Sequence, residues 1–181
     1  MTDQSIETLF AGKYVHLRRR GTWEYAERAN PQGAVIIVAV TPEDRVLLVE
    51  QYRIPIQSKT LEFPAGLIGD QASFEGESWR ESARRELLEE TGWDCEHVDS
   101  IMSGPSSAGM STEIMHFVRA RGLMRVNAGG GDASEDITVH EVPVNEIAAF
   151  VAAKMAAGFA IDPKVYAGIY FLDHDAAGRA L

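Results

Sequence analysis

The stretch Glu77-Ser78-Trp79-Arg80-Glu81-Ser82-Ala83-Arg84-Arg85-Glu86-Leu87-Leu88-Glu89-Glu90-Thr91-Gly92-Trp93 decides how this chain is read. Trp79, Ala83, Leu87 and Glu90 recur at three- and four-residue spacing with charged residues between them, which predicts a helix over Glu77–Glu90. Gly92 is placed to end it. On that helix Glu86 and Glu90 stand at i and i+4, with Glu89 between, so three carboxylates project from one sector. Like charges so spaced repel mildly in solvent. A hard divalent cation reverses the sign, because Mg²⁺ takes oxygen ligands and is commonly held by a few carboxylates together with substrate phosphates. Arg85 points elsewhere, toward Glu77 or a neighbouring loop. A solvated acidic helix face is the common alternative, and three glutamates alone do not choose between the two.

Outward from the helix, the chain alternates strand and turn signals. Tyr14 to Arg28 suggests two short strands about Gly21. Gly33 opens the apolar run Ala34-Val35-Ile36-Ile37-Val38-Ala39-Val40, which reads as a strand buried on both faces. Thr41-Pro42-Glu43-Asp44 supplies a turn, and Arg45 to Gln51 is its hairpin partner. Leu61 to Gly66 is a short extended segment, with Pro64 at a strand end. Strand-like segments follow at His97–Met102, Glu113–Ala120 and Ile137–Val142. The last third is helical over Val144–Ala157 and Asp162–Asp173. Gly129-Gly130-Gly131 reads as a flexible loop. This order of strands, helix, strands and helices indicates an α+β or α/β sandwich.

Composition narrows the partners. The chain has 181 residues, enough for one full-sized domain, and a net charge of −10 from 27 acidic and 17 basic residues. That balance argues against nucleic acid or an anionic membrane as the main partner, since both require clustered positive charge. It admits a polyanionic small molecule where metal ions or local arginines neutralise it. The lone Cys95 cannot form an internal disulfide and reads as a buried small hydrophobe, which suits a reducing compartment. The polar start Met1-Thr2-Asp3-Gln4 has no signal-peptide pattern, and no apolar run approaches the ~20 residues that span a bilayer. A cytoplasmic protein is expected. His16, His97, His116, His140 and His174 are scattered, and surface or packing roles are expected for them.

Glu77, seven residues, then Arg85-Glu86-Leu87-Leu88-Glu89-Glu90-Thr91-Gly92-Trp93 resembles the Nudix box, G-x5-E-x7-R-E-U-x-E-E-x-G-U with U apolar. Every fixed position from Glu77 onward is met. The leading glycine is not, because Gln71 stands in its place. Gly66, within Pro64-Ala65-Gly66-Leu67-Ile68, fits that glycine by context, and Gly69 to Ser73 then read as an insertion in the loop before the helix. The resemblance implies an α+β Nudix fold, an α/β/α sandwich with a mixed central β-sheet, the box helix and C-terminal helices. Residues 31–181 would form this domain, and residues 1–30 a small β-sheet segment used in dimerisation. It also implies that Glu86 and Glu90 ligate the metal, with Glu89 close by, and that the Ala65 carbonyl is a further ligand. The cofactor implied is Mg²⁺, with Mn²⁺ as a substitute. Glu89 and Arg85 join the catalytic set, and Glu77 orders the helix start.

Glu50-Gln51-Tyr52-Arg53 followed by Leu61-Glu62-Phe63-Pro64-Ala65-Gly66 is similar to the ADP-ribose pyrophosphatase and nucleoside diphosphate sugar hydrolase branch. There Arg53 is the candidate phosphate clamp, Glu62 a contact to ribose or metal, and Trp23 and Tyr25 candidate stacking residues for a base. Where that branch carries a proline beyond the box, this chain has Ala108. The acidic segment Gly131-Asp132-Ala133-Ser134-Glu135-Asp136 matches the loop that supplies the general base, with Glu135 the first candidate, Asp132 and Asp136 next, and Glu113 a distant fourth. The expected activity is metal-dependent hydrolysis of the pyrophosphate bond of a nucleoside diphosphate sugar or ADP-ribose, by a homodimer. The alternatives are another nucleotide substrate (a nucleoside triphosphate, CoA or a dinucleoside polyphosphate) or a Nudix module that senses nucleotide sugars without cleaving them.

Overall fold

The computed structural model describes residues 5–29, 33–69, 74, 76–131 and 136–181. Its strands are β1 (Ile6–Ala11), β2 (Val15–Arg20), β3 (Trp23–Arg28), β4 (Ala34–Ala39), β5 (Arg45–Arg53), β6 (Ser58–Glu62) and β7 (Ala65–Leu67). After helix α1 (Trp79–Thr91) come β8 (Trp93–Asp94), β9 (His97–Pro105), β10 (Ile114–Arg121), β11 (Met124–Arg125) and β12 (Thr138–Pro143). Helix α2 (Ile147–Ala156), β13 (Ala160–Ile161) and α3 (Pro163–Tyr170) complete the fold.

The run at Ala34 is apolar at every position because β4 is buried on both faces. Val35, Ile37 and Ala39 point into one core with Ala83 and Leu87 of α1, while Ile36 and Val38 point into another with Leu61, Val151 and Val165. Strand β5 does the same, with Leu47 in the first core and Val46 and Leu48 in the second. The result is the layered α+β sandwich expected, with α1 on one side and α2 and α3 on the other.

The mixed sheet is divided between two four-stranded sheets rather than being one. The first runs β7-β4-β10-β9, with β4 and β10 parallel, and the second runs β12-β5-β6-β13, with β6 and β13 parallel. The N-terminal segment holds three strands where two were expected, because β1 adds to the hairpin about Gly21. That sheet docks on the main domain through Ala26, which donates to Met110 O and accepts from Thr112 N. Cys95 is buried, as its composition implied. No described helix is long and apolar enough to cross a membrane.

Candidate active site

Helix α1 begins two residues later than its pattern suggested, because the cap is Ser78. Its hydroxyl accepts the Glu81 N–H at 3.3 Å while the Glu81 carboxylate accepts the Ser78 N–H at 2.8 Å, a reciprocal capping box whose Ser-x-x-Glu signature lay in the sequence. Glu77 stands outside the helix and has a different task. Arg85 donates to its two oxygens from Nε and Nη2, each at 3.0 Å, and Nη2 also reaches Leu67 O at 3.3 Å. The same guanidinium donates through Nη1 to Glu86 at 2.7 Å and to Glu89 at 3.2 Å. Burial opposes the Arg85 charge, but Glu77 and Glu86 outweigh it and hold the guanidinium above its ordinary pKa. Arg85 therefore ties the helix start, β7 and two of the box carboxylates together.

Gly66 proves to be the glycine this arrangement needs. A Cβ there would stand 1.9 Å from Glu86 Cδ and 2.0 Å from Oε1, so the Glu86 carboxylate lies directly against the bare backbone. Beside it, Glu90 is only 2% exposed, and its Oε2 accepts the Ala65 N–H at 3.1 Å. Two of the three box carboxylates thus meet β7 at consecutive residues, although the loop before α1 is longer than the family pattern.

The other end of the helix is fastened by the glycine loop. Gly92 adopts a left-handed backbone and donates to Leu88 O. Gly130 and Gly131 then donate to Glu90 O and Glu89 O at 2.8 and 3.0 Å, which satisfies carbonyls that a helix end leaves without partners. A Cβ on Gly129 would fall 2.3 Å from Thr91 C. This segment is a packed cap and not the flexible loop its composition suggested.

A cleft of about 830 Å³ opens beside these residues, within the range of small-molecule sites. Ala65, Gly66, Glu86 and Glu89 line one end. Arg53 and Glu62 line another wall, joined by a bidentate pair at 2.7 and 2.6 Å. Arg28, from the N-terminal sheet, pairs with Glu113 on a third side. No local pattern marks Arg28 for this place, since its partner lies far along the chain. Trp23 is mostly exposed, donating from Nε1 to Gly109 O at 3.1 Å, and Tyr25 is half-buried; neither lines the cleft. Asp136 is exposed, whereas Asp132 and Glu135 lie outside the described residues. A second cavity of about 570 Å³ shares no residue with the cleft.

The donor set fits a hard divalent cation. It offers carboxylate oxygens from one helical sector beside a backbone carbonyl, and among the described residues Glu77, Glu86 and Glu89 pair with Arg85 while Glu90 accepts the Ala65 N–H. Among the described residues no three acidic, His or Cys side chains converge on a single point. In this conformation Arg85 draws Glu86 and Glu89 toward itself, while the Ala65 N–H holds Glu90.

A separate charged cluster escaped the sequence reading. Glu50 is 6% exposed and accepts from Lys154 at 2.6 Å and Lys59 at 2.8 Å, with His140 Nε2 at 3.1 Å. Burial would raise the pKa of Glu50, yet these three partners bring it down to about 2. His140 is pushed below 6.5, first by burial and then by the Lys154 charge. His140 thus packs in this cluster through a hydrogen-bond contact with Glu50.

The model of the NUDIX domain family matches residues 30–161. The chain is 34% identical over 155 residues to a methanol dehydrogenase activator from Bacillus methanolicus, covering 82% of this chain and 81% of that one. It is 32% identical over 123 residues to an ADP-ribose pyrophosphatase from Bacillus subtilis (65% and 64% covered), and 34% over 127 residues to a GDP-mannose pyrophosphatase from Pectobacterium atrosepticum (66% and 63%). The match therefore spans just under two thirds of each pyrophosphatase's length. A solved structure described as an ADP compounds hydrolase superposes with a TM-score of 0.71 at 21% identity, covering 93% of this chain and 89% of that one, which speaks to the fold.

Proposed function

This chain belongs to the Nudix family, and we propose that it hydrolyses the pyrophosphate bond of a nucleoside diphosphate sugar or ADP-ribose, giving a nucleoside monophosphate and a sugar phosphate. The observation that carries this is the seating of Glu86 on Gly66 and of Glu90 on the Ala65 N–H at the end of the cleft. Glu86, Glu89, Glu90 and the Ala65 carbonyl would hold the divalent cation, Mg²⁺ or Mn²⁺. Bound there, the ion would polarise phosphoryl oxygens and lower the pKa of water. Water attacks one phosphorus, the bridging oxygen leaves with the other phosphate, and the water's proton passes to a base. Arg85 positions Glu77, Glu86 and Glu89 for that step. Arg53 and Glu62 face the substrate within the cleft, and Trp23 and Tyr25, which do not line it, would stack on a base only where the substrate reaches beyond the cleft to the N-terminal sheet.

Glu135 is the first candidate for the general base. In support, the Gly131 N–H on Glu89 O fastens the chain just before the acidic segment to the carboxylate helix. Glu135→Gln should lower kcat by roughly 10²–10⁴-fold; activity within a few-fold of wild type would remove that role. A homodimer formed through residues 1–30 is supported by the exposed Phe10, Tyr14 and Trp23 of the N-terminal sheet, and a cytoplasmic location accords with the buried lone cysteine. Light scattering of wild type and Phe10→Glu tests the dimer: a dimer that dissociates in the variant supports it, and an unchanged mass rejects it.

The activity itself is tested by product release from ADP-ribose, ADP-glucose, GDP-mannose, UDP-glucose, dNTPs and CoA, with and without Mg²⁺, beside Glu90→Gln. Metal-dependent cleavage of a diphosphate sugar or ADP-ribose, lost in the variant, is expected. Binding without turnover anywhere would instead favour a sensing module.

A further inference from the structure

The part of the cleft lined by β6 carries one hydroxyl that nothing above employs. Thr60 and Glu62 lie two apart on β6 and so project from the same face, and both line the cleft. Thr60 is 4% exposed, and its hydroxyl oxygen, itself buried, has no hydrogen-bond partner among the described residues. For packing alone a valine would serve this β-branched, strand-buried position, and it would leave no hydroxyl unsatisfied. A buried hydroxyl without a protein partner at a ligand cleft points to a partner that arrives with the ligand.

The surroundings say what kind of ligand group that is. The start of α3 is fixed beside β6 by β13, where Ala160 pairs with Thr60 and the Asp162 N–H donates to Leu61 O at 3.1 Å. This brings Asp162 and Lys164 to the same wall, already joined to each other as an ion pair. Arg53 and Glu62 are joined likewise. The cations of this wall are therefore balanced locally by carboxylates, which accept from hydroxyls and repel phosphate. A neutral group bearing several hydroxyls matches such a wall better than a second phosphate does.

We propose that the Thr60 hydroxyl hydrogen-bonds a hydroxyl of the substrate's sugar and sets selectivity for a sugar-bearing diphosphate. This rests on the hydrolase reading above and names the residue that reads the group beyond the diphosphate. Its test is the ratio of kcat/KM for ADP-ribose and for GDP-mannose to that for the β-methyl ester of ADP, which has a diphosphate but no second sugar. The ratio is measured in wild type, Thr60→Val, Thr60→Ala and Thr60→Ser, together with thermal unfolding of each. The proposal expects the ratio to fall roughly 3- to 10-fold in Thr60→Val and Thr60→Ala for at least one of the two sugar substrates. It expects recovery in Thr60→Ser, with a Tm for Thr60→Val at or above wild type. An unchanged ratio with a raised Tm would show an unsatisfied hydroxyl with no ligand, and would overturn it. Should wild type cleave none of the three compounds, the hydrolase reading fails separately. Equilibrium binding of ADP-ribose and GDP-mannose to wild type and Thr60→Val then decides: a similar loss of affinity upholds Thr60, and equal affinities or no binding overturn it.

Discussion

Two charged clusters are embedded in this molecule, and they are balanced in opposite ways. At the carboxylate helix, Glu77, Glu86 and Glu89 share the guanidinium of Arg85, and Glu90 beside them accepts the Ala65 N–H. Around Glu50 the ratio is reversed, with two ammonium groups and an imidazole on one carboxylate. Carboxylates crowded on one helical sector beside a backbone carbonyl are suited to a divalent cation. A carboxylate already surrounded by donors has nothing left to bind and serves to fasten β5, β6, β12 and α2 together. The first cluster should therefore govern activity with little effect on stability, and the second the reverse.

The largest separation between them is expected from Glu86→Gln. Losing several kcal/mol of charge stabilisation corresponds to roughly 10²–10⁴-fold in kcat at saturating Mg²⁺. Its Tm should stay the same or rise, because one of the crowded like charges is gone. Steady-state rates and a thermal melt on the same preparation check this, and activity within a few-fold of wild type would equate the clusters.

Gly66→Ala comes next. Gly66 needs no left-handed backbone, so the new methyl acts through its clash with the Glu86 carboxylate. Displacing that group by about an ångström should lower kcat/KM on the order of 10²-fold, with native circular dichroism. Full activity would mean that the position of Glu86 does not matter.

Glu50→Gln should invert the pattern. Removing one partner of a buried ion pair costs about 3–5 kcal/mol, a fall in Tm on the order of 10 °C for a chain of this size, with kcat within a few-fold at a temperature where the variant is folded. A stable but inactive variant would move Glu50 into the catalytic machinery.

The smallest effect is the pH dependence of stability. His140 has a folded pKa below 6.5, so the unfolded chain takes up that proton first and stability declines as the pH falls from about 6.5. Glu50, held at about 2 against an ordinary 4.5, adds a second loss as the pH falls through that lower window. Melts between pH 8 and pH 5 should therefore be less steep with pH in His140→Gln than in wild type. Equal slopes would remove His140 from the account.

How far the sequence reached follows the same division. Helix α1 and its carboxylates were legible because a helix repeats locally and the box is contiguous. Strand β4 was legible because burial on both faces leaves an unbroken apolar run. The Glu50 cluster was not, since Lys59, His140 and Lys154 come from three other elements and each alone reads as a solvated charge. Gly129 to Gly131 looked like slack chain because their fit against Glu89, Glu90 and Thr91 is a tertiary property. Arg28 belonged to a segment assigned to dimerisation, and only the docking of β3 beside Met110 and Thr112 brings it to Glu113.

The contrast rests on the claim that the carboxylate helix takes up a divalent cation. Calorimetric titration of Mg²⁺ into wild type and Glu90→Gln tests it most directly. The account predicts saturable binding in wild type that is lost or weakened at least about 10-fold in the variant. Equal binding in both proteins, or none in wild type, would contradict it.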